Sequence, residues 1–458
     1  MEMLTLQQVT RYLEPVLVAR SAARTEDLTF TDVAIDSRRV SPGELFLALP
    51  GERHDGHQFL AEAVSRGARG LVVSRPVAEP YRDVVTFQVS DTLQALQRLG
   101  AGRLADHPGL QVIGVTGSVG KTTCKELIAA VLSARYRVLK STGNLNTEIG
   151  LPLSLAGLEA GHQAAVLEMG MTARGDIALL CRIAPPRIGV VTSIAPVHLE
   201  RLGSLGAIAA AKGELLEALP PDGVAIVNGD SPWAHRLAAR TRARVVFYGL
   251  SPQCQVRGEG LESHGLDGIS FYLCARGERV PVRSPMPGRH NLHNLLAAAA
   301  VALEMGMTPE EVASALACAR TDLRLRVVEG PRGSTIIDDS YNASPPSVLA
   351  ALDLLGELPG RRLALLGDMR ELGPADEEGH RQVGARAAAT TDVLLLVGER
   401  APLMAEAARE AGHRDVRVLP DKEETAALLA RELQPGDYLL VKASRALALE
   451  TVVEALRP

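Results

Sequence analysis

The stretch Val115-Thr116-Gly117-Ser118-Val119-Gly120-Lys121-Thr122-Thr123 decides how this chain is read. An apolar segment, residues 110–114, precedes it and has the character of a buried strand; residues 124–132 follow with helical spacing. Strand, glycine-rich turn, Lys-Thr and helix form the layout that cradles a nucleoside triphosphate. Backbone N–H groups and the positive helix end face the phosphates, Lys121 pairs with phosphate oxygens, and a threonine hydroxyl ligates magnesium. The segment departs from the full phosphate-loop pattern, because Val115 stands where its first glycine would fall. An ordinary strand-to-helix turn is the plainer alternative, and the doubled threonine weighs against it.

Working outward, 458 residues suggest about three domains. Apolar residues make up 46%, enough for real cores, and the formal charge of −5 argues against a nucleic-acid-binding surface. No apolar run approaches the length of a membrane span, and the N-terminus has no signal-peptide core, so a cytoplasmic location without membrane insertion is expected. The five cysteines are scattered without a Cys-x-x-Cys pair, which suggests reduced thiols. Of 49 basic residues only six are lysine: Lys121, Lys125, Lys140, Lys212, Lys422 and Lys442. Where arginine serves for general charge, a remaining lysine is more conspicuous. Lys121, Lys212 and Lys442 attract a functional reading; Lys125, Lys140 and Lys422 do not.

An α/β protein of three domains is expected: a small N-terminal α/β domain over 1–88, a central phosphate-loop domain with a parallel sheet over 89–324, and a Rossmann-like C-terminal domain over 325–458. In the first, 31–36, 44–48 and 70–74 read as strands and 56–65 as a helix. In the second, strands are expected at 111–115, 164–168, 188–193, 224–228 and 245–248. Helices are expected at 125–133, 177–182, 205–218 and 291–304, with an antiparallel excursion over 254–283. In the third, strands are expected at 335–338, 363–366, 393–397 and 438–441. The absence of Gly-x-Gly-x-x-Gly there argues against a second dinucleotide site.

Polar residues at strand ends carry the next signal. Ligands of parallel sheets bind beyond the carboxyl ends of the strands. Glu168 ends one strand, placed to hold Mg²⁺ or to serve as a helix N-cap partner. His198 follows another, as a metal ligand or as a loop residue bonded to backbone. Lys212 lies in a helical stretch after Gly206, where it is expected to be partly exposed. It contacts phosphate, solvates a helix face, or reacts with CO₂ to give an anionic carbamate suited to a second Mg²⁺.

The motifs together resemble the Mur ligases, ATP-dependent amide-forming enzymes of peptidoglycan precursor synthesis. The carriers are Thr116-Gly-Ser-Val-Gly-Lys-Thr-Thr123, Thr142-Gly-Asn-Leu-Asn-Thr-Glu-Ile-Gly150, Glu168-Met-Gly170, His198-Leu-Glu200 and Ala211-Lys-Gly-Glu214. Asn228-Gly-Asp230, Gly288-Arg-His-Asn291 with Asn294, Asp339-Ser-Tyr-Asn-Ala343, Gly367-Asp-Met-Arg-Glu-Leu-Gly373 and Val441-Lys-Ala-Ser-Arg445 continue the series. The last three are similar to the branch that adds D-alanyl-D-alanine. The Asp-Asn-Pro-Arg motif of the diaminopimelate- or lysine-adding branch is absent, and Lys-Ala-Ser-Arg stands where Lys-Gly-Ser-Arg is usual.

The resemblance implies ATP and two Mg²⁺ ions as cofactors, UDP-N-acetylmuramoyl-tripeptide and D-alanyl-D-alanine as substrates, an acyl-phosphate intermediate, and a monomer. It implies that Thr116, Gly117, Ser118, Val119, Gly120, Lys121, Thr122, Thr123, Asn291, Arg324 and Asp339 bind the nucleotide. Thr122 and Glu168 would serve one Mg²⁺, His198 and carbamylated Lys212 the other, with Lys121 completing the catalytic set. Arg324 clamps ATP or is a linker charge. Ser37 and Arg38 match the segment that holds the uridine nucleotide. Asn144, Asn146 and Thr147 suit sugar and peptide, or form a capped turn. Lys442, Ser444 and Arg445 grip the dipeptide carboxylate or line a domain interface. A related ligase adding another amino acid, or acting on folate, is the alternative. A GTPase is disfavoured because no Asn-Lys-x-Asp occurs.

Overall fold

The computed structural model describes residues 2–20, 28–51, 54–79, 81–196, 199–321 and 325–457. The fold is mixed α/β and resolves into two compact units. One gathers Met1–Gly114, Arg135–Met171 and Gly175–Arg187; the other gathers Val115–Ala134, Thr172–Arg174 and Ile188–Pro458.

In the first unit, five strands lie in the order Leu17–Arg20, Val85–Gln88, Gly70–Val73, Leu45–Leu47, Val33–Ala34. All neighbours are parallel except the antiparallel Leu17–Arg20 edge. Phe30, Leu45, Leu47, Val72 and Phe87 pack with Leu96 and Leu99 of the helix Thr92–Ala105. Asp91 caps that helix by accepting from the Gln94 amide at 2.9 Å, the expected use of an N-terminal aspartate. The single strand expected over 31–36 is two short ones, Thr29–Phe30 and Val33–Ala34. Between them the Asp32 carboxylate accepts from the Val33 amide at 2.8 Å, and the Thr31 amide turns to the Gly43 carbonyl at 3.0 Å. Local side-chain bonding has displaced ladder bonding. The helix expected over 56–65 begins as a 3₁₀ turn, Gly56–Phe59, before Leu60–Ser65. The same unit holds the parallel pair Val138–Lys140 and Ala164–Glu168 and the helix Gly150–Ala156.

In the second unit, Ile188–Val191, Val224–Asn228, Arg244–Gly249 and Val256–Ser263 are successive parallel strands. Ile269–Ala275 and Glu278–Ser284 extend them antiparallel, the excursion read from sequence. The helix Asn291–Glu304 packs on the helix Lys121–Leu132. Its fully buried Ala297, Ala298, Ala299 and Ala300 allow the two backbones to approach closely.

The C-terminal sheet of this unit runs Arg326–Glu329, Thr335–Asp338, Tyr438–Lys442, Arg362–Gly367, Val393–Val397, Val416–Leu419. Only the Arg326–Glu329 edge is antiparallel. Helices Pro345–Gly356, Asp376–Thr390 and Ala401–Glu410 cover one face; Lys422–Glu432 and Glu450–Leu456 cover the other. Leu365 and Leu395 are fully buried between the layers, each worth roughly 1.5–3 kcal/mol. This doubly covered parallel sheet is the expected Rossmann-like arrangement, and it aims the carboxyl ends of three adjacent strands at one place. Among the described residues no helix is long and apolar enough to cross a membrane.

Candidate active site

The phosphate loop is set by two glycines and a clamp. Gly117 has φ +154°, and a Cβ there would collide with Thr192 Oγ1. Gly120 has φ +86°, and a Cβ would lie 2.6 Å from Asn294 Oδ1. Neither position accepts a side chain without displacing its neighbour. The clamp is the segment after the strand Ile188–Val191. The Ser118 amide donates to the Ser193 carbonyl at 2.8 Å and the Val119 amide to Ser193 Oγ at 2.9 Å. Thr192 Oγ1 donates to the Val119 carbonyl at 2.6 Å, and Ser118 Oγ donates to the Ala195 carbonyl at 3.0 Å. Thr192 and Ser193 were not singled out from sequence, which placed 192–193 inside the strand. The signal was there: two hydroxyl residues directly after an apolar run. Ser118 and Val119 thus spend their amides on this clamp. Lys121 Nζ donates to the Gly117 carbonyl at 2.9 Å and to the Ser118 carbonyl at 3.3 Å. Gly117→Ala should lower kcat/KM for ATP by about 100-fold, the cost of a misplacement near 1 Å. Steady-state ADP release measures it, and an unchanged value contradicts the clamp.

A cavity of about 630 Å³ opens beside this loop. Its walls include Ser118, Val119, Gly120, Lys121, Thr122 and Thr123, then Asn291 and Asn294, and from the C-terminal sheet Asp339, Lys442, Ser444 and Arg445. Residues distant in sequence are therefore brought together. Asn291 Nδ2 donates to the Pro287 carbonyl at 2.7 Å while Asn294 Nδ2 donates to Asn291 Oδ1 at 3.0 Å, which fixes the amide's orientation. Lys442 is fully buried; its ammonium is paired with the Asp339 carboxylate and donates to the Asn342 carbonyl at 3.0 Å. Arg445 pairs with Glu450 at 2.7 Å and lies over the Tyr341 ring. Arg370 and Glu371, quoted from sequence only as part of the motif at 367–373, and His293, which sequence reasoning passed over, line the same cavity.

Lys212 corrects an expectation. It was read as partly exposed, but it is 1% exposed on the helix Leu205–Glu217. That helix buries Ala209, Ala211, Gly213, Leu215 and Leu216 around it, and a helix apolar on nearly every side is an interior helix. Burial, and then the positive charge of Lys121, push the Lys212 amine well below the ordinary lysine range. Lys125, set aside as incidental, is also fully buried, in an ion pair with Glu126 at 3.0 Å. His198 and Arg324 lie outside the described residues.

In the first unit, Glu168 is 2% exposed. One carboxylate oxygen, Oε1, accepts from Asn146 Nδ2 at 2.8 Å, and the other, Oε2, is buried with no hydrogen-bond partner among the described residues. An unsatisfied buried carboxylate oxygen is costly unless something supplies a positive charge. Asn144 and Thr147 are exposed; Thr147 Oγ1 accepts from the Gly150 amide at 3.3 Å, at the start of the next helix. Ser37 is buried with Oγ donating to Glu62 at 2.7 Å, and Arg38 is exposed and paired with Asp36 at 2.8 Å.

Three family models tile the chain in order: the Mur ligase family catalytic domain over 29–115, the Mur ligase middle domain over 115–302, and the Mur ligase glutamate ligase domain over 323–445. The chain belongs to the Mur ligase family. It is 40% identical over 457 residues to the UDP-N-acetylmuramoyl-tripeptide–D-alanyl-D-alanine ligase of Synechocystis sp., covering 99% of this chain and 97% of that one. A crystal structure of MurF from Acinetobacter baumannii superposes with a TM-score of 0.87 at 30% identity, covering 99% of each chain. MurF ligase from Thermotoga maritima, in complex with ADP, superposes with a TM-score of 0.80 at 31% identity, covering 93% of this chain and 96% of that one. This Mur ligase is accordingly an ATP-dependent, ADP-forming enzyme.

Proposed function

We propose that this Mur ligase joins D-alanyl-D-alanine to UDP-N-acetylmuramoyl-tripeptide. The observation that carries the reading is the end-to-end likeness to ligases bearing that name, with the phosphate loop and three C-terminal strand ends lining one cavity. A carboxylate cannot expel oxide, so it must be activated. One carboxylate oxygen of the tripeptide attacks the γ-phosphorus of ATP, the bond to ADP breaks, and an acyl phosphate forms. The dipeptide amine then attacks the acyl carbon, the carbon–oxygen bond to phosphate breaks, and the amine proton leaves with the new amide complete. Phosphoryl transfer of this kind depends on positioning and charge neutralisation. Lys121 supplies one cation from the loop. The N-terminal segment with Ser37 and Arg38 is proposed to hold the uridine nucleotide.

Each unit offers a donor of the kind magnesium takes: Glu168 has a buried carboxylate oxygen with no hydrogen-bond partner among the described residues, and Thr122 has a hydroxyl in the first turn of the phosphate-loop helix. Among the described residues no three His, Cys, Asp or Glu side chains cluster as a ready metal cage. Mg²⁺ takes few protein ligands and completes its shell with phosphate and water. When bound, it neutralises charge on the phosphate oxygens. Lys212 is proposed to carry a carbamate. The nitrogen lone pair attacks CO₂ and a proton is released, which requires an unprotonated amine, and burial beside the Lys121 charge pushes Lys212 toward that form.

The substrate reading is tested by ADP release. Turnover with UDP-N-acetylmuramoyl-tripeptide should depend on D-alanyl-D-alanine. Comparable turnover with free D-glutamate or diaminopimelate, and none with the dipeptide, overturns it.

A further inference from the structure

His380 lies on the helix Asp376–Thr390 and is fully buried, although it touches no expected site residue directly. Both ring nitrogens are engaged. Nδ1 is 2.7 Å from the Asp376 carbonyl oxygen, one turn back, and Nε2 is 3.0 Å from the Met369 amide nitrogen. A carbonyl only accepts and an amide N–H only donates. The proton therefore sits on Nδ1, and Nε2 accepts from Met369. The ring crosslinks the helix to the loop that leaves the strand Arg362–Gly367.

That loop is held at each successive residue. The Asp368 carboxylate accepts from the Glu399 and Arg400 amides at 3.0 and 2.9 Å. The Arg370 amide donates to Ser444 Oγ at 2.8 Å, and the Ser444 amide donates to the Asp368 carbonyl at 2.9 Å. Two consecutive amides, at 369 and 370, are thus captured by side chains instead of by strand or helix partners. Glu371 follows in the left-handed region at φ +64°. Arg370, Glu371 and Leu372 then line the cavity that the phosphate loop also lines.

The wall has a direction. The loops at 368–372 and 443–445 leave the carboxyl ends of two neighbouring parallel strands, where ligands of such sheets bind. Phosphates would be met by the loop at 117–123, and the cations Arg370 and Arg445, which line the same cavity, suit a carboxylate, which the dipeptide carries and an amine alone does not. We infer that His380 is a positioning residue for the amine substrate: it fixes the Met369 amide and so sets the wall against which D-alanyl-D-alanine is seated. The inference rests on the substrate reading given above.

Full-length His380→Leu, His380→Asn and His380→Gln variants separate this role from general stability. Gln can place Oε1 where Nε2 stands and accept from Met369; Asn is too short, and Leu cannot accept. Leu and Asn should raise KM for D-alanyl-D-alanine by about 10-fold, the scale of one lost hydrogen bond. KM for ATP should stay within about twofold, and Gln should restore the dipeptide KM. Unchanged dipeptide KM in folded Asn and Leu variants, an equal rise for ATP, or Gln as poor as Leu overturns the inference. If Leu and Asn do not fold, amide exchange decides: slow exchange at Met369 and Arg370 in wild type and His380→Gln supports it, fast exchange overturns it. Dipeptide-dependent turnover of the wild type tests the substrate reading separately.

Discussion

Lys121→Met should reduce ADP release by about 10²–10³-fold, the loss seen when one strong electrostatic contributor to a transition state is removed. The side chain starts the helix Lys121–Leu132 and bends back over its own loop, with the Gly117 and Ser118 carbonyls accepting from it. ATP phosphates would take over that ammonium, since a charged acceptor outcompetes neutral carbonyls. Methionine keeps the length and removes the charge. The fold should persist, because the clamp at 192–195 and the two glycines hold the loop without Lys121. Turnover within about threefold of wild type would mean that the loop does not carry the transferred phosphoryl group.

The second large effect is expected at Lys212. Lys212→Met should lower turnover by about 100-fold. Lys212→Arg should do at least as badly, for two reasons. Guanidinium does not form the carbamate, and a larger permanent cation at a site 1% exposed carries a desolvation cost. Methionine is therefore the cleaner probe, and thermal unfolding checks that it folds. Lys212→Ala should regain some turnover with a short carboxylic acid, which fills the carbamate's place. In ¹³C-bicarbonate, wild type should show a carbamate resonance that Lys212→Met lacks. Lys121→Met should weaken that resonance, because removing the neighbouring positive charge lets the Lys212 amine protonate more readily. Near-normal turnover of Lys212→Met in saturating Mg²⁺ would end the carbamate proposal.

The depressed Lys212 amine also links stability to pH. Without the carbamate, the folded protein binds fewer protons at this site than the unfolded chain. Stability should then rise with pH between the lowered folded value and the ordinary lysine value, and be smallest below both. Bicarbonate should extend that rise to lower pH in wild type, because carbamate forms only from the deprotonated amine, and Lys212→Met should lack the contribution of this site.

Elements with a continuous signal were legible from sequence alone. The helix expected over 291–304 is Asn291–Glu304, and the strand expected over 393–397 is Val393–Val397, buried on both faces. Among the strands passed over, Val138–Lys140, Arg326–Glu329 and Val416–Leu419 are short, lie at the edges of their sheets and keep exposed or half-buried residues, so no apolar run marks them. Val85–Gln88, mostly buried inside its sheet, was passed over as well. In the site, Gly117, Gly120 and Lys121 declare themselves because backbone and phosphate chemistry dictate residue type. Thr192, Ser193 and His380 do not, because their roles exist only once separate segments meet. The burial of Lys212 was readable from the apolar residues on nearly all sides of its helix, but its charge drew attention outward.

The most direct test follows oxygen. With both carboxylate oxygens of the reacting UDP-N-acetylmuramoyl-tripeptide carboxyl labelled with ¹⁸O, one label should appear in the inorganic phosphate. The other should remain in the new amide of the D-alanyl-D-alanine product. Phosphate released without ¹⁸O would contradict the acyl-phosphate account, because ATP would then be losing its phosphoryl group to water.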